Sequence, residues 1–261
     1  MLLDDKVAII YGAGGSIGRQ VARCFAREGA RLFLAGRTAA TLDEVAGLLG
    51  DSPRRAQVDV LDATDPARVE AHFASVVERA GQVDISFNLI GVQDVQGPPV
   101  TAMTAEEFLR PIDLGARSHF LTATAAARHM AERRKGVVMA LTATPARLAL
   151  PLVGGFGPYC AAIEAFYRGL AAEVGPQGVR ALWLRSAGSP ETFGDDVATD
   201  EQDRPAGLGD DAYLEGLRRA TLLGRFPKAA EVAEAAALAA SDRAGAMTAA
   251  AINVTCGQIA D

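Results

Sequence analysis

The sequence predicts an α/β protein with a doubly wound parallel sheet of about seven strands, covered by helices on both faces in three layers. Apolar runs of strand length alternate with amphipathic segments of helix length, the pattern of βαβ units. The first strand breaks into glycines that open a helix within the first twenty residues. At 261 residues, nearly half of them apolar, the chain fits one large domain over 1–261.

In chain order, short apolar runs predict strands near 6–11, 31–36, 55–59, 83–88, 136–142, 179–185 and 250–254. Segments with apolar residues at spacings of three and four predict helices near 16–29, 38–49, 65–80, 104–133 with a break around Pro111, 152–174 and 228–240. Ligands of such sheets bind beyond the carboxyl ends of the strands, where the candidate site residues fall.

Composition points to a small-molecule partner. The net charge of −6 argues against a nucleic-acid backbone or an anionic membrane as partner. The start lacks a basic segment followed by a long apolar one, and no later run reaches about 18 uncharged apolar residues. We therefore expect a soluble cytoplasmic protein.

The cysteines and histidines do not form a recognisable metal or disulfide pattern. Cys24, Cys160 and Cys256 are odd in number, widely spaced and without a CxxC pair, so reduced cysteines are expected. The three histidines are scattered and lack acidic or cysteine neighbours at ligand spacing. We expect no metal site.

The glycine-rich turn after the first strand is typical of a nucleotide pyrophosphate site. A helix N-terminus has unpaired N–H groups and the positive end of the helix dipole. Gly12 permits a tight turn, Gly14, Gly15 and Ser16 let the backbone approach phosphate oxygens closely, and Gly18, after Ile17, lets the helix pack near the strand. Glycines also mark ordinary strand-to-helix turns, so the loop alone does not decide the matter.

The spacing of this loop, with glycine at 12, a small residue at 16 and glycine at 18, resembles the GxxxGxG loop of the short-chain dehydrogenase/reductase family. Tyr11 stands where that family usually has threonine, and Ser16 replaces its middle glycine. The resemblance implies a Rossmann-type sheet that binds a nicotinamide dinucleotide.

Arg37, at the end of the second strand, favours NADP (NADPH) over NAD as the cofactor. The adenosine ribose is held there in dinucleotide folds, and a guanidinium suits a 2′-phosphate whereas a carboxylate would repel it. Arg19 adds positive charge nearby. The alternative is that both arginines are solvated residues at helix starts.

Further segments resemble the family along almost the whole chain. Asp59-Val60 resembles the pair that holds the adenine ring, and Asn88 and Gly91 match the family's NNAG element with Leu89 in place of its second asparagine. The remaining matches are Gly188 and Thr192 of the segment that flanks nicotinamide, and the closing elements at 224–227 and 252–257.

The catalytic residues are where the chain departs from this family, whose members use Asn, Ser, Tyr and Lys. Tyr159 matches the tyrosine of the YxxxK motif, but Ile163 stands in place of the lysine. Asp113 is aligned with the asparagine, and Thr142 or Thr144 could supply the hydroxyl that serine provides. The threonines could equally be strand-end residues and Tyr159 a packing aromatic.

These departures bias the expected chemistry towards reduction. A tyrosine with a pKa near 10 is about one part in a thousand ionised at pH 7, and Ile163 cannot lower that pKa. Alcohol oxidation needs phenolate as a base, whereas carbonyl reduction needs the neutral phenol as an acid. We expect an NADP(H)-dependent oxidoreductase that reduces a ketone or aldehyde.

Two alternatives stay open. The chain could be a catalytically impaired dinucleotide-binding protein, either a sensor or the non-catalytic subunit of a hetero-oligomer. Double-bond reduction or dehydration is the other alternative, although no lysine lies six residues beyond Tyr159 as in the family's enoyl reductases.

Two further features concern the surface. A polar, acidic insertion near 193–220 reads either as a lid or as a solvated loop. Segments 104–133 and 152–174 carry apolar and small residues on more than one face, which predicts a homodimer or homotetramer through these helices, although core packing explains many of the same residues.

Overall fold

A computed structural model describes residues 1–50, 56–192 and 211–260 of the chain. Its seven strands form one parallel sheet in the order β3-β2-β1-β4-β5-β6-β7. The strands are β1 Val7–Tyr11, β2 Arg31–Gly36, β3 Ala56–Val60, β4 Ile85–Asn88, β5 Gly136–Ala143, β6 Val179–Ser186 and β7 Ala251–Val254. The predicted doubly wound α/β sheet is confirmed.

Helices cover both faces of the sheet. They are α1 Ser16–Arg27, α2 Ala39–Gly47, α3 Pro66–Ala80, α4 Ala105–Glu132, α5 Phe156–Val174, α6 Asp211–Arg219 and α7 Ala229–Ala240. Alternation along β1 separates two cores: Ile9 and Tyr11 pack with α3, α4 and α5, whereas Ala8 and Ile10 pack with α1, α2 and α7. Burial on both faces explains why the strands read as continuous apolar runs.

Three helix predictions differ from the structure. Helix α4 continues through Pro111 without the predicted break, because proline there removes a single N–H donor in the second turn. Helix α5 begins at Phe156 rather than at 152, since Leu152 and Gly154 have positive φ. Helix α6 lies within the predicted lid-like insertion; residues 193–210 of that insertion lie outside the described residues.

None of the helices in the described parts of the chain is long and apolar enough to cross a membrane. Cys24, Cys160 and Cys256 are free thiols, the first two buried.

Candidate active site

The glycine loop has a geometry that side chains would block. Gly12 has φ +77°, and a Cβ there would lie 2.6 Å from the Leu89 carbonyl oxygen. A Cβ on Gly18 would lie 2.2 Å from the Gly12 carbonyl oxygen. These contacts press the start of α1 against β1 and β4, at the point where the strand order reverses.

The N-terminus of α1 is open to a ligand. Its N-cap is Gly15, which has no side chain with which to bond the first-turn N–H groups, and no acidic side chain lies in that turn. Unpaired N–H donors and the positive end of the helix dipole therefore face the loop. Ile17 packs partly into the core beneath, and Thr41 of α2 closes the side of the loop at Gly14.

The loop after β4 is shaped by the Asn88 amide. Its Nδ2 donates to the Thr122 hydroxyl at 3.0 Å, and its Oδ1 accepts a hydrogen bond from the Ile90 N–H at 3.0 Å. Gly91 follows with open space where a Cβ would stand. The amide thus turns the backbone towards the glycine loop, beside β1.

Arg37 is exposed just after β2, and Arg19 is paired with a carboxylate on α2. The Arg19 guanidinium donates to Glu44 at 2.8 Å, so its charge is shared with a carboxylate on α2. Hydrogen bonds from Thr64, and then the positive charge of Arg37, hold the pKa of Asp62 below its usual range. Arg37 and Asp62 therefore lie near each other at the ends of β2 and β3.

The Asp59 side chain is already bonded to two residues of α3. Its carboxylate accepts hydrogen bonds from Arg79 at 2.8 and 3.0 Å and lies 3.2 Å from His72 Nε2. Although burial acts in the opposite direction, these groups hold the pKa of Asp59 below its usual value. The structure brings Val60, 55 % exposed, to the surface, but it ties Asp59 to α3.

Gly188 and Thr192 lie beyond β6. Gly188 has φ +90°, and the Thr192 hydroxyl donates to the Ser189 carbonyl at 2.6 Å, which fixes the short 3-10 turn Pro190–Thr192. This turn contacts α1, so it stands beside the glycine loop.

The Tyr159 hydroxyl is bonded inside the protein. It donates to His119 Nε2 at 3.2 Å, while His119 Nδ1 lies 3.3 Å from the Tyr167 hydroxyl, which donates to the Met139 carbonyl at 3.2 Å. The carbonyl can only accept, so the chain of donors runs from Tyr159 through His119 and Tyr167 to Met139. The Tyr159 proton therefore points into the core.

Burial keeps both His119 and Tyr159 neutral. It lowers the pKa of His119 to about 3. Burial, followed by the nearby Cys160, Tyr167 and Asp94, raises the pKa of Tyr159 well above its usual value of 10. The tyrosine is a phenol at neutral pH, and it is 4 % exposed.

Gly115 is the α4 residue that meets Tyr159. A Cβ at position 115 would lie 2.1 Å from Tyr159 Cε2. Asp113, predicted to stand at this place, is exposed two residues earlier on α4. The structure does not bring Asp113 to the tyrosine, because residues two apart point to different sides of a helix.

Ile163 and Thr142 are both fixed in the core. Ile163 is 1 % exposed and packs among the apolar side chains of α4 and α5. The Thr142 hydroxyl donates to Glu164 at 3.0 Å, and Glu164 forms a two-pronged ion pair with Arg185 at 2.6 and 2.8 Å. Thr142 is thus tied to a buried ion pair, whereas Thr144 is buried next to Pro145.

An apolar cleft of about 580 Å³ reaches Pro145 and Pro158, the chain neighbours of Thr144 and Tyr159. It is formed by the segment after β5, the first turn of α5, the 3-10 turn at Val100 and the start of α4. The described residues that line it are Pro99, Val100, Phe108, Pro145, residues 148–154, Gly157, Pro158 and Ala161.

Sequence reasoning missed four residues of this region. Asp62 stands three residues before Asp65, whose carboxylate caps α3. Its position relative to the start of this helix is the signal that could have identified it. Gly115 and His119 share a face of α4 at a spacing of four, but the partner that they meet is remote in sequence. Asp94, a buried carboxyl whose pKa burial raises to about 6, lies in a loop without periodicity.

Among residues 1–50, 56–192 and 211–260, no group of three or more histidine, cysteine, aspartate or glutamate side chains could hold a metal ion.

A parallel sheet whose order reverses between β1 and β4, with a glycine loop at that point, defines a dinucleotide-binding α/β protein. Residues 12–258 match the family model described as enoyl-(acyl carrier protein) reductase. The chain therefore belongs to the short-chain dehydrogenase/reductase family, and it has the family's Rossmann-type NAD(P)-binding fold.

Known relatives match over almost the whole chain. Gluconate 5-dehydrogenase of Gluconobacter oxydans is 27 % identical over 242 residues, 92 % of this chain and 89 % of the relative. The structure of a gluconate 5-dehydrogenase from Burkholderia cenocepacia in complex with NADP and tartrate has a TM-score of 0.85 at 26 % identity, covering 98 % and 96 % of the two chains.

A second solved structure is similar to the same extent. It is 3-ketoacyl-(acyl-carrier-protein) reductase from Brucella melitensis complexed with NADH, with a TM-score of 0.83 at 26 % identity, covering 98 % of this chain and 99 % of the other. Structural neighbours thus include proteins with either nicotinamide coenzyme bound. This chain is an oxidoreductase of the same family.

Proposed function

We propose that the protein is an NADP(H)-dependent reductase of ketones or aldehydes. The observation that carries the proposal is the approach of Gly18 and Gly12, which leaves the N-terminus of α1 open and leaves no room for a Cβ at either position. A diphosphate fits such a place because backbone N–H groups can reach its oxygens.

The residues present fit the coenzyme as follows. Gly12, Gly14, Gly15, Ser16, Ile17 and Gly18 would hold the diphosphate, and Gly188 and Thr192 would border the nicotinamide. Asn88 and Gly91 would flank the adenosine, with Val60 against the adenine ring. We assign the carboxylate of this subsite to Asp62 in place of Asp59, because Arg79 and His72 already occupy Asp59. The bound coenzyme would supply the hydride.

Arg37 supports the preference for NADP. It is exposed at the end of β2, and its guanidinium can bond two oxygens of a 2′-phosphate. Asp62 shares part of this positive charge, so the selectivity for NADP rests on the balance between the two side chains.

The protonation of Tyr159 supports reduction over oxidation. Its hydroxyl is neutral at pH 7, and Ile163 offers no charge that would favour phenolate. A neutral phenol can give a proton to the oxygen of a carbonyl that receives hydride. To do so, Tyr159 must exchange its bond to His119 for one to the substrate, beside Thr144.

A second candidate function is a coenzyme-binding protein without turnover. The observation that favours it is the Tyr159–His119 hydrogen bond, which points the proton away from the cleft. In this case the glycine loop and Arg37 would still bind NADPH, and the chain would act as a sensor or as the non-catalytic subunit of a hetero-oligomer.

The two candidates are separated by calorimetry with NADPH followed by turnover of a panel of ketones and aldehydes. The wild-type chain and the Ile163→Lys and Ile163→Met variants are compared. Binding with turnover by the wild type supports the reductase; binding without turnover until lysine is present supports the binding protein. Absence of binding by NADPH and NADH at millimolar concentrations would overturn both.

We also propose association into a symmetric homodimer or homotetramer through α4 and α5. Phe120 on α4 is 54 % exposed and packs against Phe166 of α5, with ring centroids 6.2 Å apart. An exposed aromatic side chain packed on a half-buried one is typical of an interface. Light scattering of the Phe120→Glu variant should give a smaller particle than the wild type.

A further inference from the structure

The cleft is lined by the chain neighbours of the residues that would carry the chemistry. Pro145 directly follows Thr144, and Pro158 directly precedes Tyr159. The two segments are close together, since a Cβ on Gly157 would lie 3.4 Å from the Pro145 carbonyl oxygen. A carbonyl group placed between Thr144 and Tyr159 would therefore have the rest of its molecule in the cleft.

The described wall of this cleft offers no side chain that can pair with a charge or a hydroxyl. Four of its residues are prolines, which also have no N–H donor, and the others are leucine, valine, phenylalanine, alanine and glycine. A carboxylate or polyol that left water for such a wall would lose hydrogen bonds that no side chain of the wall replaces.

The wall is held in place by backbone contacts. The Gly97 N–H donates to the Leu152 carbonyl at 2.8 Å. Gly154 fits closely against the loop that contains Asp94, since a Cβ there would lie 2.7 Å from the Val95 carbonyl oxygen. The cleft is thus shaped by the chain's own backbone contacts, as is typical of small-molecule sites.

The rim of the cleft exposes large apolar side chains. Val100 is 57 % exposed and Leu152 is 39 % exposed, and both line the cleft. A ligand with an apolar body would remove this surface from water, which is favourable in proportion to the area covered.

We propose that the substrate is an uncharged carbonyl compound with a sizeable apolar body, such as a medium-chain or alicyclic ketone or aldehyde, and not a sugar or a keto acid. The position of the reacting carbonyl rests on the proposed function, whereas the apolar character of the occupant rests on the cleft alone.

The test is a calorimetric titration of the chain, with and without saturating NADP⁺, with 2-alkanones from butanone to decanone. NADP⁺ cannot reduce a ketone, so binding is measured without turnover. Each methylene that enters the cleft is expected to lower Kd about fourfold, equivalent to about 0.8 kcal/mol. We expect 6-oxoheptanoate, with a carboxylate at the far end, to bind more than tenfold more weakly than 2-octanone.

A matched pair of variants assigns this binding to the cleft. Val100→Asp places a carboxylate on the rim and should weaken 2-octanone binding at least fivefold. Leu48→Asp changes a similarly exposed apolar residue, 52 % exposed at the end of α2 and outside the cleft, and should leave ketone binding unchanged.

Failure of this inference differs from failure of the proposed function. A Kd that does not change along the alkanone series, or tighter binding of 6-oxoheptanoate, would overturn the apolar substrate even if the coenzyme binds. Loss of coenzyme binding with an intact alkanone series would overturn the reductase and leave the cleft as an apolar ligand site.

Discussion

Gly115 lies directly under the ring of Tyr159, so close that a Cβ at position 115 would stand 2.1 Å from Cε2. The missing side chain on α4 lets the tyrosine ring lean towards that helix, where its hydroxyl reaches His119. Position 115 therefore sets the direction of the Tyr159 hydroxyl, the candidate group for proton transfer.

Gly115→Ala is expected to destabilise the fold. The added methyl group must push aside a buried ring, and overpacking of this kind costs about 1–3 kcal/mol. The Tyr159–His119 hydrogen bond should be lost together with this stability. Denaturant unfolding measures the change in the free energy of unfolding.

The control for that substitution is Gly169→Ala in α5. No atom lies within 4 Å of a Cβ at position 169, and alanine is the better helix former by about 1 kcal/mol. This variant should be as stable as the wild type or more stable. Equal effects of the two substitutions would show that Gly115 does not constrain the ring.

Asp94 should make stability fall as the pH rises from 4 to 6. Burial raises the pKa of Asp94 to about 6 in the folded chain, whereas an unfolded aspartate titrates near 4. The folded state therefore holds an extra proton in this window. Its contribution is fully present below pH 4 and is lost as the pH rises through 6, a change of about 3 kcal/mol.

Urea unfolding of the wild type and Asp94→Asn between pH 3 and 8 measures this effect. The difference in the free energy of unfolding between the two should shift by about 3 kcal/mol across the window. Asp59→Asn should show the opposite sign, because the pKa of Asp59 is lowered and its contribution is lost as the pH falls. If the difference in the free energy of unfolding between the wild type and Asp94→Asn did not change with pH, this would contradict the raised pKa of the Asp94 carboxyl.

The sheet could be predicted from the sequence, whereas the partners of its side chains could not. Strands such as 6–11 and 136–142 are apolar runs whose burial needs no partner to be named. The contact of Gly115 with Tyr159 joins helices 44 positions apart, and no periodicity encodes it. The helix break expected at Pro111 did not form, because a proline in the second turn of α4 removes only a single N–H donor.

The same distinction applies to the candidate site. The glycine loop is local, so its shape follows from the residue types at 12 and 18. Asp59 and Asp62 lie three residues apart around the end of β3, and only the position of Arg79 on α3 shows which carboxylate is already occupied. Sequence reasoning predicts where the site lies but does not assign each side chain within it.

The Glu164–Arg185 ion pair should behave as a unit. Both side chains are at most 3 % exposed, and the charges lie 2.6 Å apart. Removing one partner leaves the other charge buried and unpaired, at a cost of about 3–5 kcal/mol. We expect Glu164→Gln and Arg185→Met each to destabilise the chain to this extent.

A double-mutant cycle tests that coupling. Glu164→Gln combined with Arg185→Met should cost clearly less than the sum of the two single changes, since no charge is left behind. Additive costs in thermal or denaturant unfolding would show that the two side chains act independently. Arg218→Met on the exposed Glu215–Arg218 pair should change stability far less than either change in the buried pair, because solvent screens exposed charges.

Arg37 should determine which coenzyme binds more tightly. Replacing it by serine removes the charged donor for a 2′-phosphate, and a hydrogen bond to a charged group contributes about 1.5–3 kcal/mol. Arg37→Ser should therefore raise the Kd of NADPH by about 10- to 150-fold and leave that of NADH within about twofold. Calorimetry with the two coenzymes, with Arg23→Ser on the exposed face of α1 as the matched control, makes the measurement. An equal loss of affinity for both would show that Arg37 acts on the shape of the loop and not on the 2′-phosphate.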